Sequence, residues 1–233
     1  MIFGLFSYDW TILLVIPGLI VSIWAQIKVN STFSRFSKIN TSRGMSGYAA
    51  ARRILDANGL SHVQIERING HLTDHYDPRA NVIRLSNSVY SSTSPAAIGV
   101  AAHEAGHAIQ YATHYAPIKL RTSLVSITRF SSGLAVPLFF IGLLFASEAL
   151  MLIGILLYAA IALFQLITLP VEFNASSRAM AVLQSSEMLN KQELSASRKV
   201  LSAAALTYVA ALLTSILTLL RLILLAGRGS RRN

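Results

Sequence analysis

Residues 100–110 read VAAHEAGHAIQ and contain His103-Glu104-Ala105-Gly106-His107, the pattern H-E-x-x-H. Four residues of α-helix turn through about 400°, so the two imidazoles fall one turn apart on one face and can reach one metal ion at about 2.0–2.1 Å. Glu104 is rotated by about 100° from His103, which sets its carboxylate beside the ion rather than on it, within reach of a metal-bound water. Zinc lowers the pKa of that water to about 7. The carboxylate can take its proton during attack on a carbonyl and later hand it to the leaving amine. Ala105 and Gly106 leave room over the helix for a substrate. The chain has no cysteine, so every ligand must come from His, Asp or Glu.

The elements that must position these residues belong to a membrane protein. Of 233 residues 53% are hydrophobic and 13% charged, too apolar for an ordinary soluble domain. A net charge of +10 would suit nucleic acid or anionic lipid, but basic cytoplasmic loops explain it without a nucleic-acid partner. Trp10 to Ile27 is uncharged, with a Trp suited to each interface. Phe130 to Leu169 holds one charge, Glu148. Val200 to Leu220 holds none. A span needs about 20 apolar residues, so four are expected: one over 8–28, two over 130–169 that turn at Glu148, and one over 200–225. The first lacks the basic n-region of a signal peptide and is too long for one. Between them lie a catalytic region, 29–129, and a segment, 170–199. Lys28, Arg35, Lys38, Lys119, Arg121 and Arg129 flank the first two spans, which places both of these regions in the cytoplasm. Four crossings then put the basic stretch from Arg221 onward outside, against the same rule. Either the last segment stops short of crossing or that stretch is the exception.

Within 29–129, Ser46 to Ala57 reads as a helix closed by Asn58-Gly59. Val63 to Ile68 alternates like a strand, Asn69-Gly70 signals a hairpin turn, and Asn81 to Leu85 reads as a further strand. The β element is a hairpin or a three-stranded sheet. Its second run serves equally as a plain strand or as an edge that pairs with an extended peptide. Ser94 and Pro95 start the helix that carries the motif, which is expected to run over about 95–115. His71 and His75 are also four apart, but HLTDHYD reads as turn or strand, where that spacing does not bring them together.

A catalytic zinc takes three protein ligands and keeps one open position. Position 113, where a metzincin has its third histidine, is Thr. His114 shares the helix face, but a continuous helix carries it about 10 Å along the axis. Glu148 falls on the opposite membrane side, and Glu187 and Glu193 read as solvated surface. Glu172 follows Leu169-Pro170 at the exit of the third span, on the side of His103. A lone carboxylate there is costly unless paired or metal-bound.

With LTDHYDPR before the motif and LPVEFNASSRA after it, the chain resembles the YugP-like neutral zinc metallopeptidases of bacteria over essentially its whole length. More distantly it is similar to the HtpX and CAAX-prenyl membrane proteases. The resemblance implies a gluzincin-type site with His103, His107 and Glu172 as ligands to one Zn2+ and Glu104 as the base. The distant relatives carry an Asp four residues after the ligand Glu, to orient a ligand histidine. Here that position is Ser176, so a hydroxyl or a neighbour such as Asn174 must fix the tautomer. Arg178, Tyr111 and His114 are candidate oxyanion donors, with a membrane-flanking cation the plainer reading of Arg178.

The expected protein is therefore a mostly α-helical membrane protein with about four transmembrane helices, a gluzincin-like HExxH helix and a small β element. It is expected to act as a zinc endopeptidase on protein or peptide substrates, membrane-bound ones included. Three other readings compete. A site-2-type intramembrane protease would need an L-D-G motif, which is absent. A zinc transporter would place paired His or Asp on its spanning helices, and the uncharged runs of the four spans hold neither. A non-catalytic scaffold would close its zinc with a fourth protein ligand.

Overall fold

The computed structural model describes residues 9–230, with side chains to position 227. Tyr8, where the first span was expected to start, and Arg231 and Arg232 of the basic stretch lie outside the described residues. A 3-10 turn, Trp10–Leu14, leads into α1 (Ile16–Phe36). Then follow α2 (Gly47–Ala57), β1 (Gln64–Ile68), β2 (His75–Asp77), β3 (Val82–Ser86), the short α3 (Asn87–Tyr90) and α4 (Pro95–Ala112). Three long helices complete the chain: α5 (Ala116–Leu144), α6 (Glu148–Ser185) and α7 (Lys191–Ser230). The helix α1 with its preceding turn, α5, α6 and α7 are each long and apolar enough to cross a bilayer; α4 is not among them.

The chain divides into two compact units. One takes in the chain up to Ala25, Leu120–Leu169 and the chain from Thr207. Large apolar residues face outward on it, Ile20, Phe130, Phe145 and Leu156 among them, as lipid contact requires. Small residues bring its helices close. A Cβ at Gly18 would lie 2.8 Å from the Thr214 hydroxyl, and one at Gly154 2.8 Å from the Ala135 carbonyl. Arg221 donates to Asp9 at 2.7 Å, which joins the start of the first apolar segment to the far end of α7. That bond partners one of the cations that the charge rule objected to.

The other unit is Gln26–Lys119 with Pro170–Leu206. Its core is built from α2, β3, α4 and the polar halves of α6 and α7, with Ile54, Leu55, Ile83, Leu85, Ile98 and Leu183 fully buried. Ser94 is the cap the sequence signalled, and Ser46, read as the first helical residue, is a cap as well. Ser46 and Ser94 accept from the N–H groups of Ala49 and Ala97 at 3.2 Å each. The sheet has the order β1-β3-β2, with β1 parallel and β2 antiparallel to β3. The hairpin turn is therefore not at Asn69-Gly70. It lies between β2 and β3, where Asp77 accepts from the N–H groups of Arg79 and Ala80 at 2.9 and 3.3 Å and Asn81 takes a positive φ of 53°. β3 is the central strand, so the edge expected at Asn81 to Leu85 is instead offered by β2.

Three placements near the site region differ from expectation. α6 continues through Pro170 to Ser185, so Glu172 sits inside a helix rather than at its mouth. Pro removes one backbone donor, and long apolar helices tolerate that loss. α4 ends at Ala112 in a Schellman closure, with Tyr115 N–H on Gln110 O at 3.0 Å and His114 N–H on Tyr111 O at 3.1 Å. His114 takes the left-handed position at φ 54°, the usual place for a helix stop. Glu193, expected as solvated surface, is buried. It accepts from the N–H groups of Ser42 at 2.6 Å and Asn190 at 2.9 Å, while Asn190 caps α7 by accepting from Glu193 N–H at 2.9 Å. Burial works against its charge, but these two backbone donors hold the Glu193 carboxyl below its ordinary pKa. Glu187 is exposed, as expected.

Candidate metal centre

His103, Glu104 and His107 occupy the buried middle of α4, and Glu172 reaches them from α6. All four lie in the same unit. His103 Nε2 is 3.2 Å and His107 Nε2 3.5 Å from Glu172 Oε2, and no side chain of the three is more than 14% exposed. One donor atom from each lies within 4.8 Å of the other two. Zinc bonds of about 2.0–2.2 Å in a tetrahedron separate neighbouring ligand atoms by roughly 3.3–3.6 Å, and the two nitrogen–oxygen separations fall within about 0.1 Å of that range. The donor set of two imidazoles and a carboxylate, without sulfur, suits zinc. Among the described residues the cluster holds three such groups. A closed structural site would need a fourth protein ligand.

The close approach of the two helices depends on Gly106. A Cβ there would stand 2.6 Å from the Ala175 carbonyl, so α6 itself occupies the room that the small residues were expected to leave for substrate. The imidazoles are held from behind. His103 Nδ1 lies 3.0 Å from Ser176 Oγ, so the serine stands where the distant relatives' aspartate would. His107 Nδ1 lies 2.9 Å from Gln110 Oε1. Gln110 donates in turn to Val171 O at 2.8 Å and Asn174 Oδ1 at 3.0 Å. Asn174 thus hydrogen-bonds Gln110 and Arg178, and Gln110, which the sequence reading missed, is the amide on His107. The signal was present: a lone amide three residues after His107 falls on the same buried face of an otherwise apolar helix.

Electrostatics follow from this crowding. Burial disfavours a charged His107, but the Glu172 hydrogen bond and the Glu104 charge outweigh it and hold its pKa above the ordinary value. Glu104 is itself buried. Burial also pushes the Asp74 carboxyl up, although Ser86 donates to it through both N–H and hydroxyl, and the Glu104 charge adds to the rise.

The remaining candidates are dispersed. Arg178 donates from Nε to Asn174 Oδ1 at 2.8 Å and lies over the Tyr115 ring at 5.8 Å. Tyr111, one turn beyond His107, stacks at a tilt on Tyr76 of β2 with ring centres 5.6 Å apart. His114 is exposed beyond the end of α4 and stands outside the three-residue cluster. Glu148 is exposed at the start of α6.

Residues 11–227 match a family described as "Putative neutral zinc metallopeptidase". The chain belongs to this family. It is also 49% identical over 195 residues to the "Putative membrane protease YugP" of Bacillus subtilis (strain 168), covering 84% of this chain and 87% of that one. No solved structure matches it. Family and fold together make this member a membrane protein of the zinc-metallopeptidase type.

Proposed function

We propose that this family member is a zinc-dependent endopeptidase that cuts peptide bonds at the cytoplasmic surface of the membrane. The observation that carries the reading is the convergence of His103, His107 and Glu172 at zinc-like spacing with the buried Glu104 beside them on α4. Zinc held there would supply a Lewis acid and acidify water to a pKa of about 7. Glu104 then takes the proton of the attacking water and returns it to the leaving amine. Ser176 and Gln110 keep the imidazoles aimed at the ion from behind. The outer edge of β2, terminal in the sheet on a strand that packs against α4, would hold an extended substrate by backbone pairing.

Two features speak for this reading over its rivals. α4 is not one of the four helices suited to crossing a membrane, whereas a site-2-type protease carries its motif in a spanning helix. The cluster of three leaves a position open, whereas a structural zinc is closed by four. The cytoplasmic side rests on the basic flanks of the first two spans.

Two experiments test the proposal. The purified Glu104→Gln variant should keep its zinc, because the carboxylate is not a ligand, and should lose peptidase activity. Wild-type turnover by that variant would refute the mechanism. For the orientation, Cys replacing Ser46 should be shielded from an impermeant thiol reagent in intact cells. Labelling there from outside would reverse it.

A further inference from the structure

Gln110 is wholly buried on the face of α4 turned to α6 and uses both ends of its amide. Which end faces which way is decided by its neighbours. The Val171 carbonyl can only accept. Arg178 Nε can only donate, so the Asn174 atom it touches is the amide oxygen, and that oxygen also receives Gln110. The end of Gln110 facing α6 is therefore its NH2 group, and its oxygen faces His107 at 2.9 Å. An oxygen there offers lone pairs alone, so His107 Nδ1 must carry the hydrogen. Nε2, the atom facing Glu172, is left as the nitrogen with a lone pair for a metal.

We infer that Gln110 is the positioning residue of the second histidine. It holds His107 in the Nδ1–H tautomer, with its own orientation set by Val171 O and by the pair Arg178–Asn174. The inference rests on His107 being a zinc ligand. It also gives Arg178 a role away from the oxyanion: as a donor-only group it sets the polarity of a chain that ends at the metal. A buried amide that merely ties α4 to α6 would do none of this, and the two roles part under substitution.

The test uses the full chain in detergent and reads zinc affinity by competition with a chelator. Gln110→Leu keeps a similar volume and removes the acceptor. It should hold zinc about 10–100-fold more weakly with its helical content unchanged. Asn174→Asp keeps an oxygen for both Arg178 and Gln110 and should bind zinc close to the unaltered level. Independently of any variant, nitrogen NMR of the unaltered zinc-loaded chain should find the His107 hydrogen on Nδ1. Equal affinity in Gln110→Leu, or a collapse of affinity in Asn174→Asp, would overturn the inference and leave the functional reading standing. So would a His107 bound through Nδ1, which decides the matter even if Gln110→Leu fails to fold. Absence of zinc binding by the unaltered chain would overturn both.

Discussion

His103 and His107 share their four-residue spacing with His71 and His75, and the two pairs meet opposite fates. On α4 the spacing becomes one helical turn, with ring centres 4.7 Å apart and both Nε2 atoms close to Glu172. In the second pair Gly70, just before the first ring, and Leu72, between the two, take positive φ, 127° and 55°, so the chain there is bent rather than helical. His71 sets its exposed ring edge-on against Phe33 at 5.4 Å, while His75 opens β2 with Nδ1 2.9 Å from Thr73 O. Ligand spacing thus acquires chemical meaning from the helix that carries it. It also needs a third partner, here supplied by a residue far along the sequence.

The contrast can be sharpened by substitution. The largest effect is expected at Glu104, where the Gln variant should lose about 10²–10⁴-fold in peptide turnover, the usual contribution of a general base, at unchanged zinc content. Next is Gly106→Ala. Its Cβ would press on the Ala175 backbone carbonyl and should destabilise the unit by about 1–3 kcal/mol, read as a lowered Tm. Ser176→Ala removes the partner of His103 Nδ1 and should weaken zinc binding by about tenfold. Acidification should weaken zinc binding through the range just above the ordinary histidine pKa. The raised pKa of His107 means that its proton competes with the metal at low pH and leaves as pH rises. The smallest effect is the control: His71→Ala with His75→Ala should leave zinc content and activity unchanged. A loss of zinc there would erase the distinction between the two pairs.

What the sequence made legible was local. Ser94-Pro95 marked the start of α4, Ser46 and Asn58 bounded α2, and runs without charge marked the four apolar segments, because caps and hydropathy act over a few residues. The misreadings share a different cause. Pro170 reads as a stop, yet α6 absorbs it and carries Glu172 onward within a helix. Asn69-Gly70 reads as a hairpin turn, yet β1 pairs with β3 in parallel, a non-local choice that no turn signal encodes. Glu193 looks like surface because the backbone N–H of Ser42, which keeps it buried and ionised, lies far away in sequence. Gln110 went unread because its value depends on Val171 and Asn174 of another helix.

The account's central claim is that Glu172 completes a zinc site with His103 and His107. The most direct measurement is the zinc content of purified Glu172→Ala beside the unaltered chain and beside Glu148→Ala and Glu193→Ala. The account predicts one zinc in the unaltered chain, markedly less in Glu172→Ala, and full occupancy in the other two. One tightly held zinc in Glu172→Ala would contradict it.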